Sequence, residues 1–364
     1  MALFIRLVSG NSLHSRNNCQ LILKSAQNTN KTMITETPAS WQSELTDWQE
    51  ELRQAIRNPI QLLKLLELSD SELAKSIVVK KHFALQVPKT YVARMRKGKP
   101  DDPLLRQVLP MVDENLKLSR FKIDPVGDVA AEKVPGLLHK YQGRVLLLIT
   151  GACAIHCRYC FRQHYNYAIP KSLSQALDAI CADSSISEVI LSGGEPLLLT
   201  DNYLEQLARK IANISHIRRL RLHTRLPIVL PTRVNNTLLT WLTGTRLQPI
   251  VVIHTNHANE IDETVIHALQ KLTSAGIMVL NQSVLLRGVN DNAATLSALS
   301  ETLFSHQVLP YYLHFLDQVQ GAAHFEVSVD KATQIIEQLR INLPGYLVPK
   351  LVREVASMAY KQPL

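Results

Sequence analysis

A chain of 364 residues suits one large domain with an accessory segment, or two domains. It is 46% hydrophobic and 20% charged, a composition that supports a sizeable core. No apolar run nears the ~18 residues of a membrane-spanning helix, so no such span is expected. The net charge of +9 is partly local: Arg6, Arg16, Lys24 and Lys31 stand in an acid-free stretch over 1–35, leaving an ordinary +5 for the remainder. No lysine/arginine block interleaved with aromatics marks a nucleic-acid face.

In chain order, residues 1–35 resemble a basic, acid-poor transit segment, or sequence upstream of a start at Met33. They are expected to be a disordered or spurious extension outside the fold. Residues 36–130 read as a helical N-terminal region. Trp48, Leu52, Ala55 and Ile56 recur at helical spacing, as do Leu62, Leu63, Leu65 and Leu66. Ser69 to Glu72 offers a cap with acids in a first turn, and Lys97-Gly98-Lys99-Pro100 breaks the pattern.

From about residue 144, strand-length apolar runs alternate with amphipathic stretches. The runs are 145–150, 188–192, 220–223, 250–254, 278–283 and 309–315; helix candidates lie near 173–182, 202–213, 235–243, 261–274, 292–305 and 329–340. The alternation predicts an α/β fold with a parallel sheet and right-handed crossovers. Six units over 131–345 suit a partial (β/α)6 barrel, with a flat doubly wound sheet as the alternative and 346–364 as a short C-terminal segment. Loops after strand C-termini carry the chemistry in barrels. The segments from Cys153, from Gly193 and from Asn290 therefore fall on one rim.

The five cysteines are Cys19, Cys153, Cys157, Cys160 and Cys181. An odd number with three inside eight residues reads as a metal site in a reducing, cytoplasmic setting rather than a disulfide framework. Thiolates are the usual ligands of iron–sulfur clusters, and three of them leave one iron of a four-iron cube open for a ligand. The alternatives are a zinc site completed by His156 or His164, and chance clustering.

Cys153-x3-Cys157-x2-Cys160 after one strand, with Leu191-Ser-Gly-Gly-Glu-Pro-Leu197 after the next, resembles the radical S-adenosylmethionine (SAM) superfamily. Leu137 to Arg144, Cys160-Phe-Arg162, Asn281 to Asp291, Pro310-Tyr-Tyr312 and Gly345 to Glu354 together resemble the lysine 2,3-aminomutases. Among these, the short chain is most similar to the elongation factor P (R)-β-lysylation group. The resemblance implies a [4Fe-4S] cluster on the three cysteines, with SAM on its open iron and beside Gly193, Gly194 and Glu195. It implies pyridoxal phosphate (PLP) on Lys361, seven residues after Glu354 and followed by Gln362-Pro363. It assigns the substrate α-carboxylate to Arg162 and its far ammonium to Asp291 and Glu354, with Arg144 and Lys140 as candidates for the PLP phosphate. The activity implied is conversion of (S)-α-lysine to (R)-β-lysine. Free lysine would be the substrate and an external donor such as a flavodoxin the electron source; a separate ligase would pass the product to elongation factor P. Neither a structural zinc nor a large assembly is implied. The competing functions are another radical SAM enzyme acting on a peptide or nucleic acid, and a non-enzymatic iron–sulfur or zinc module.

Overall fold

The alternating pattern folds as alternating strands and helices. A computed structural model describes residues 47–78, 83–166 and 169–364; the extension expected over 1–35 lies outside them. Ten strands form one sheet in sequence order: β1 Glu132–Val134, β2 Leu137–Tyr141, β3 Arg144–Thr150, β4 Glu188–Gly193, β5 Arg219–Thr224, β6 Gln248–Ile253, β7 Met278–Val284, β8 Val308–His314, β9 Lys350–Arg353 and β10 Gln362–Pro363. Strands β3 to β9 run parallel, each beside its successor. The first six of these are the strands the sequence predicts. Antiparallel pairs β1/β2, β2/β3 and β9/β10 extend both ends of the parallel core, giving a partial barrel with two edges.

Local chemistry explains the crossovers. In helix Asp201–Ala212, Leu204, Leu207, Ala208 and Ile211 are buried at i, i+3, i+4 and i+7, and the Thr200 hydroxyl accepts the Tyr203 N–H at its start. Asp262, Asn292 and Ser328 cap the helices at 263, 293 and 329 in the same way. Every residue of β4 is buried, as expected of a central parallel strand covered on both faces.

The N-terminal region is less regular than its sequence pattern predicts. Its helices are short, at Asp47–Arg53, Pro59–Leu65, Glu72–Lys75, Lys89–Val92 and Pro103–Arg106. Ile56 leaves the helix it was expected to extend and bridges Val87 instead. The region is not a separate body. Trp48, Leu62, Tyr91 and Leu105 share one continuous core with Leu147, Val189, Leu222 and Ile253 of the sheet. Among the described residues no helix is long and apolar enough to cross a membrane.

Candidate active site

Thr150 ends β3, and the chain turns at once into the cysteine loop. Protein groups hold this loop from two sides. From the N-terminal region, the Gln86 side-chain amide donates to the Cys153 carbonyl at 2.7 Å, and the Gln86 carbonyl accepts the His156 N–H at 3.0 Å. The Arg158 guanidinium is 1% exposed and makes two hydrogen bonds to Glu114, at 2.7 and 2.5 Å, plus one to the Phe83 carbonyl. From the barrel, Gly194 N–H donates to the Thr150 carbonyl and Glu195 N–H to the Ala152 carbonyl.

The two glycines are needed for that second grip. A Cβ on Gly193 would stand 2.4 Å from the Thr150 oxygen, and one on Gly194 2.3 Å from the Ala152 oxygen; Gly193 also has φ +122°. The pressure against a side chain comes from the cysteine loop, pressed on the end of β4. The Glu195 carboxylate is likewise turned inward: it accepts from Thr224 Oγ1, Arg225 N–H and Leu197 N–H. Burial nonetheless pushes its pKa up to about 6, against the hydrogen bonds from Thr224, Arg225 and Leu197.

Cys153, Cys157 and Cys160 all line one cavity of about 610 Å³ inside the barrel. Burial and then mutual repulsion push the Cys160 thiol up to about 12 and raise Cys153 as well. Cys153 and Cys160 thiols that resist ionisation beside neighbouring sulfur fit a cationic four-iron cluster, which binds its ligands as thiolates and offsets that cost. The two histidines considered for zinc are committed elsewhere. His156 stacks on Phe83 and bonds through Nδ1 to the Ala84 carbonyl, and His164 Nε2 meets the Gln320 carbonyl.

Lys361 reaches the same cavity from the C-terminal segment. Strand β10 pairs with β9 through Gln362↔Arg353, and this brings Lys361 Nζ to 2.5 Å from Glu354 Oε2. A lysine so near the last residue reads from sequence physics as a frayed surface group; here its side chain is 21% exposed and ion-paired. Lys140 Nζ lies 2.8 Å from the other Glu354 oxygen, 2.5 Å from Asp128 and 2.9 Å from the Val126 carbonyl. Lys140, the expected phosphate contact, is here a counter-ion to two acids. Burial opposes charge on Glu354, but Lys361 and Lys140 outweigh it and hold the carboxylate well below its ordinary range. Arg144 does line the cavity, stacked on Tyr141.

Arg162 also faces the cavity. Its Nε donates to Asp128 at 2.6 Å, and its guanidinium lies over Phe161. Asp291 does not come near. One oxygen accepts the Gly288 N–H at 2.9 Å and the other pairs with Lys331. It closes the turn before helix Ala293–Ser305, the ordinary use of aspartate there, and the sequence expectation of a substrate contact is corrected.

An aspartate that does reach the cavity is Asp317, three residues past β8. Among the described residues its carboxylate takes no hydrogen bond. Burial first, then the Glu354 charge, push its pKa up to about 7 against the pull of Lys361 and Lys140. Also unpredicted are His223, His254 and His314 on the cavity wall, whose imidazoles burial keeps uncharged, His254 down to about 3. The signal was available: each lies at or just past the C-terminal end of a parallel strand, the rule that located the cysteines.

A partial parallel barrel with three convergent thiols, a paired lysine and several acids in one cavity defines an iron–sulfur enzyme. A family described as "4Fe-4S single cluster domain" matches residues 141–221. The L-lysine 2,3-aminomutase of Escherichia coli (strain K12) is 48% identical over 323 residues, covering 87% of this chain and 94% of that protein. The Haemophilus influenzae protein of the same name is 47% identical, covering 85% and 93%. That of Clostridium subterminale is 34% identical, covering 87% and 77%. The chain belongs to the lysine 2,3-aminomutase family.

Proposed function

We propose that this chain converts L-lysine to (R)-β-lysine in the cytoplasm, supplying a separate ligase that modifies elongation factor P. A single observation carries the catalytic reading. Lys361, Glu354, Asp317 and Arg162 line the cavity that the three cysteines also line. Cys153, Cys157 and Cys160 would hold the cluster, the Gly193–Glu195 segment would border SAM, and Lys361 would hold PLP, with Arg144 near its phosphate. When bound, these groups supply a hydrogen-abstracting radical and a conjugated ring able to accept the migrating nitrogen.

The chain's own residues do the rest. The Arg162 guanidinium, fixed by Asp128, presents a planar donor fork to the substrate carboxylate. Asp317 and Glu354 offer negative charge to the far ammonium, and Asp317 takes the place expected of Asp291. Glu354 also holds the Lys361 ammonium in position at the cavity. The buried neutral imidazoles of His223, His254 and His314 line the wall without adding charge, and the enclosing barrel excludes water.

The test is anaerobic reconstitution with iron, sulfide and PLP, then incubation with lysine, SAM and dithionite or a flavodoxin. β-Lysine is the expected product. Borohydride should fix PLP to the peptide carrying Lys361, and to no other lysine. A protein loaded with both cofactors that leaves lysine unchanged would falsify the assignment.

A further inference from the structure

The three cysteines are equivalent in sequence but not in their surroundings. Cys160 is met by the backbone amide of Arg162. Cys157 is met by a charged side chain: Arg225 Nη1 lies 2.6 Å from its Sγ. Arg225 follows directly on β5 and is 5% exposed. Its other terminal nitrogen, Nη2, donates to Gln107 Oε1 at 2.7 Å, Glu260 Oε2 at 2.9 Å and the Tyr91 hydroxyl at 3.3 Å. Glu260 is fully buried, and its second oxygen accepts from the backbone amides of Asn256 and His257 and from Gln107. Three parts of the chain, around residues 91, 107 and 260, thus aim one guanidinium at one sulfur.

We propose that Arg225 is a positioning residue that sets the reduction potential of the cluster through Cys157, with Glu260 moderating its charge. Three thiolates on a four-iron cube give a net charge of −1 when oxidised and −2 when reduced. A hydrogen bond to a ligand sulfur withdraws electron density, and a nearby cation stabilises the extra charge. Both effects favour the reduced form, and burial leaves them little screened. The sign depends on order along the row. Arg225 stands between the sulfur and the acid, so the sulfur meets the positive end of the pair. Glu260, bonded to the far nitrogen, weakens that field without cancelling it. The sequence gives no motif for this role, because the guanidinium lies 68 residues from the cysteine it touches.

The inference rests on the cluster assignment and not on the aminomutase reading. The experiment reconstitutes the full-length protein and its Arg225→Gln, Arg225→Lys and Glu260→Gln variants. Iron and sulfide are counted, and the signal of the reduced cluster is titrated by electron paramagnetic resonance against poised potential. Arg225→Gln keeps the backbone N–H that holds Glu195, and should lower the reduction equilibrium constant at least tenfold, about 59 mV for one electron. Arg225→Lys should fall between it and the unaltered protein. Glu260→Gln should move the potential the other way, because the guanidinium loses its counter-charge while its hydrogen bond can persist. Coincident potentials for Arg225→Gln and the unaltered protein at equal iron content would overturn the proposal. So would a shift of Glu260→Gln in the same direction as Arg225→Gln, the pattern expected of loosened packing alone. If Arg225→Gln does not retain iron, Glu260→Gln decides: an upward shift supports the role, and no shift or a downward one ends it. Opposed shifts in a protein that makes no β-lysine would leave this inference standing and remove the aminomutase reading. β-Lysine formation with unmoved potentials would do the reverse.

Discussion

Asp317 and Glu354 are two carboxylates in one cavity with opposite protonation behaviour. Glu354 has two ammonium partners and stays ionised. Asp317 faces that charge from a buried position and holds its proton up to about pH 7. A lysine substrate brings a cation, which favours the ionised acid. The KM for lysine should therefore fall as pH rises through 7, and Asp317→Asn should raise KM and flatten that limb. A limb that persists in the variant would remove Asp317 from substrate binding. Stability carries the same group with the opposite sign. Unfolded, an aspartate loses its proton near pH ~3.9, whereas the folded protein keeps it to about 7, so the group costs stability as pH rises across that window. The melting temperature of Asp317→Asn relative to the unaltered protein should increase from pH 4 to 7. Asp291→Asn, by contrast, should leave KM within about twofold, because it changes a turn outside the cavity. The two aspartates show what a motif can and cannot locate. Asp291 lies in a stretch that resembles a family motif, but its loop turns it toward Lys331. Asp317 lies in no such stretch, and the position of β8 sends it inward.

Among the elements, six of the seven parallel strands, β3 to β8, were legible because each carries a strand-length apolar stretch that alternates with a helical pattern. Strands β1, β2, β9 and β10 were not: they are short and mostly half-exposed, and only pairing with a neighbour defines them. That matters for function, since β9 and β10 bring Lys361 to Glu354. The end of β4 also acts beyond its own strand. An alanine at Gly194 would drive its Cβ into the Ala152 carbonyl, and the loop would have to shift. Gly194→Ala should lower bound iron per chain after reconstitution, and overpacking of this kind costs about 1–3 kcal/mol in denaturant unfolding. Full iron retention at unchanged stability would show that the loop has slack.

Across the whole molecule, the N-terminal helices and the barrel share one core and a fully buried ion pair. Arg158 sits in the cysteine loop and Glu114 in the N-terminal region, each with a side chain 1% exposed. Glu114→Ala would leave a buried guanidinium without its counter-charge, at a cost of about 3–5 kcal/mol. The loss should appear in thermal unfolding of the cluster-free protein, before any iron is added; an unchanged melting temperature would mean that the pair is not sealed from water. The sequence divides the chain at about residue 130, on a change of pattern. Packing across that boundary cannot be read from a one-dimensional pattern, because Tyr91 and Ile253 become neighbours in one core only through the fold.

The double grip on the cysteine loop has a consequence for the working life of the protein. Gln86, Arg158, Gly194 and Glu195 hold the loop through bonds that involve neither iron nor sulfide. A cluster destroyed by oxygen would leave its cradle standing. The damage is then a lost part rather than a collapsed machine.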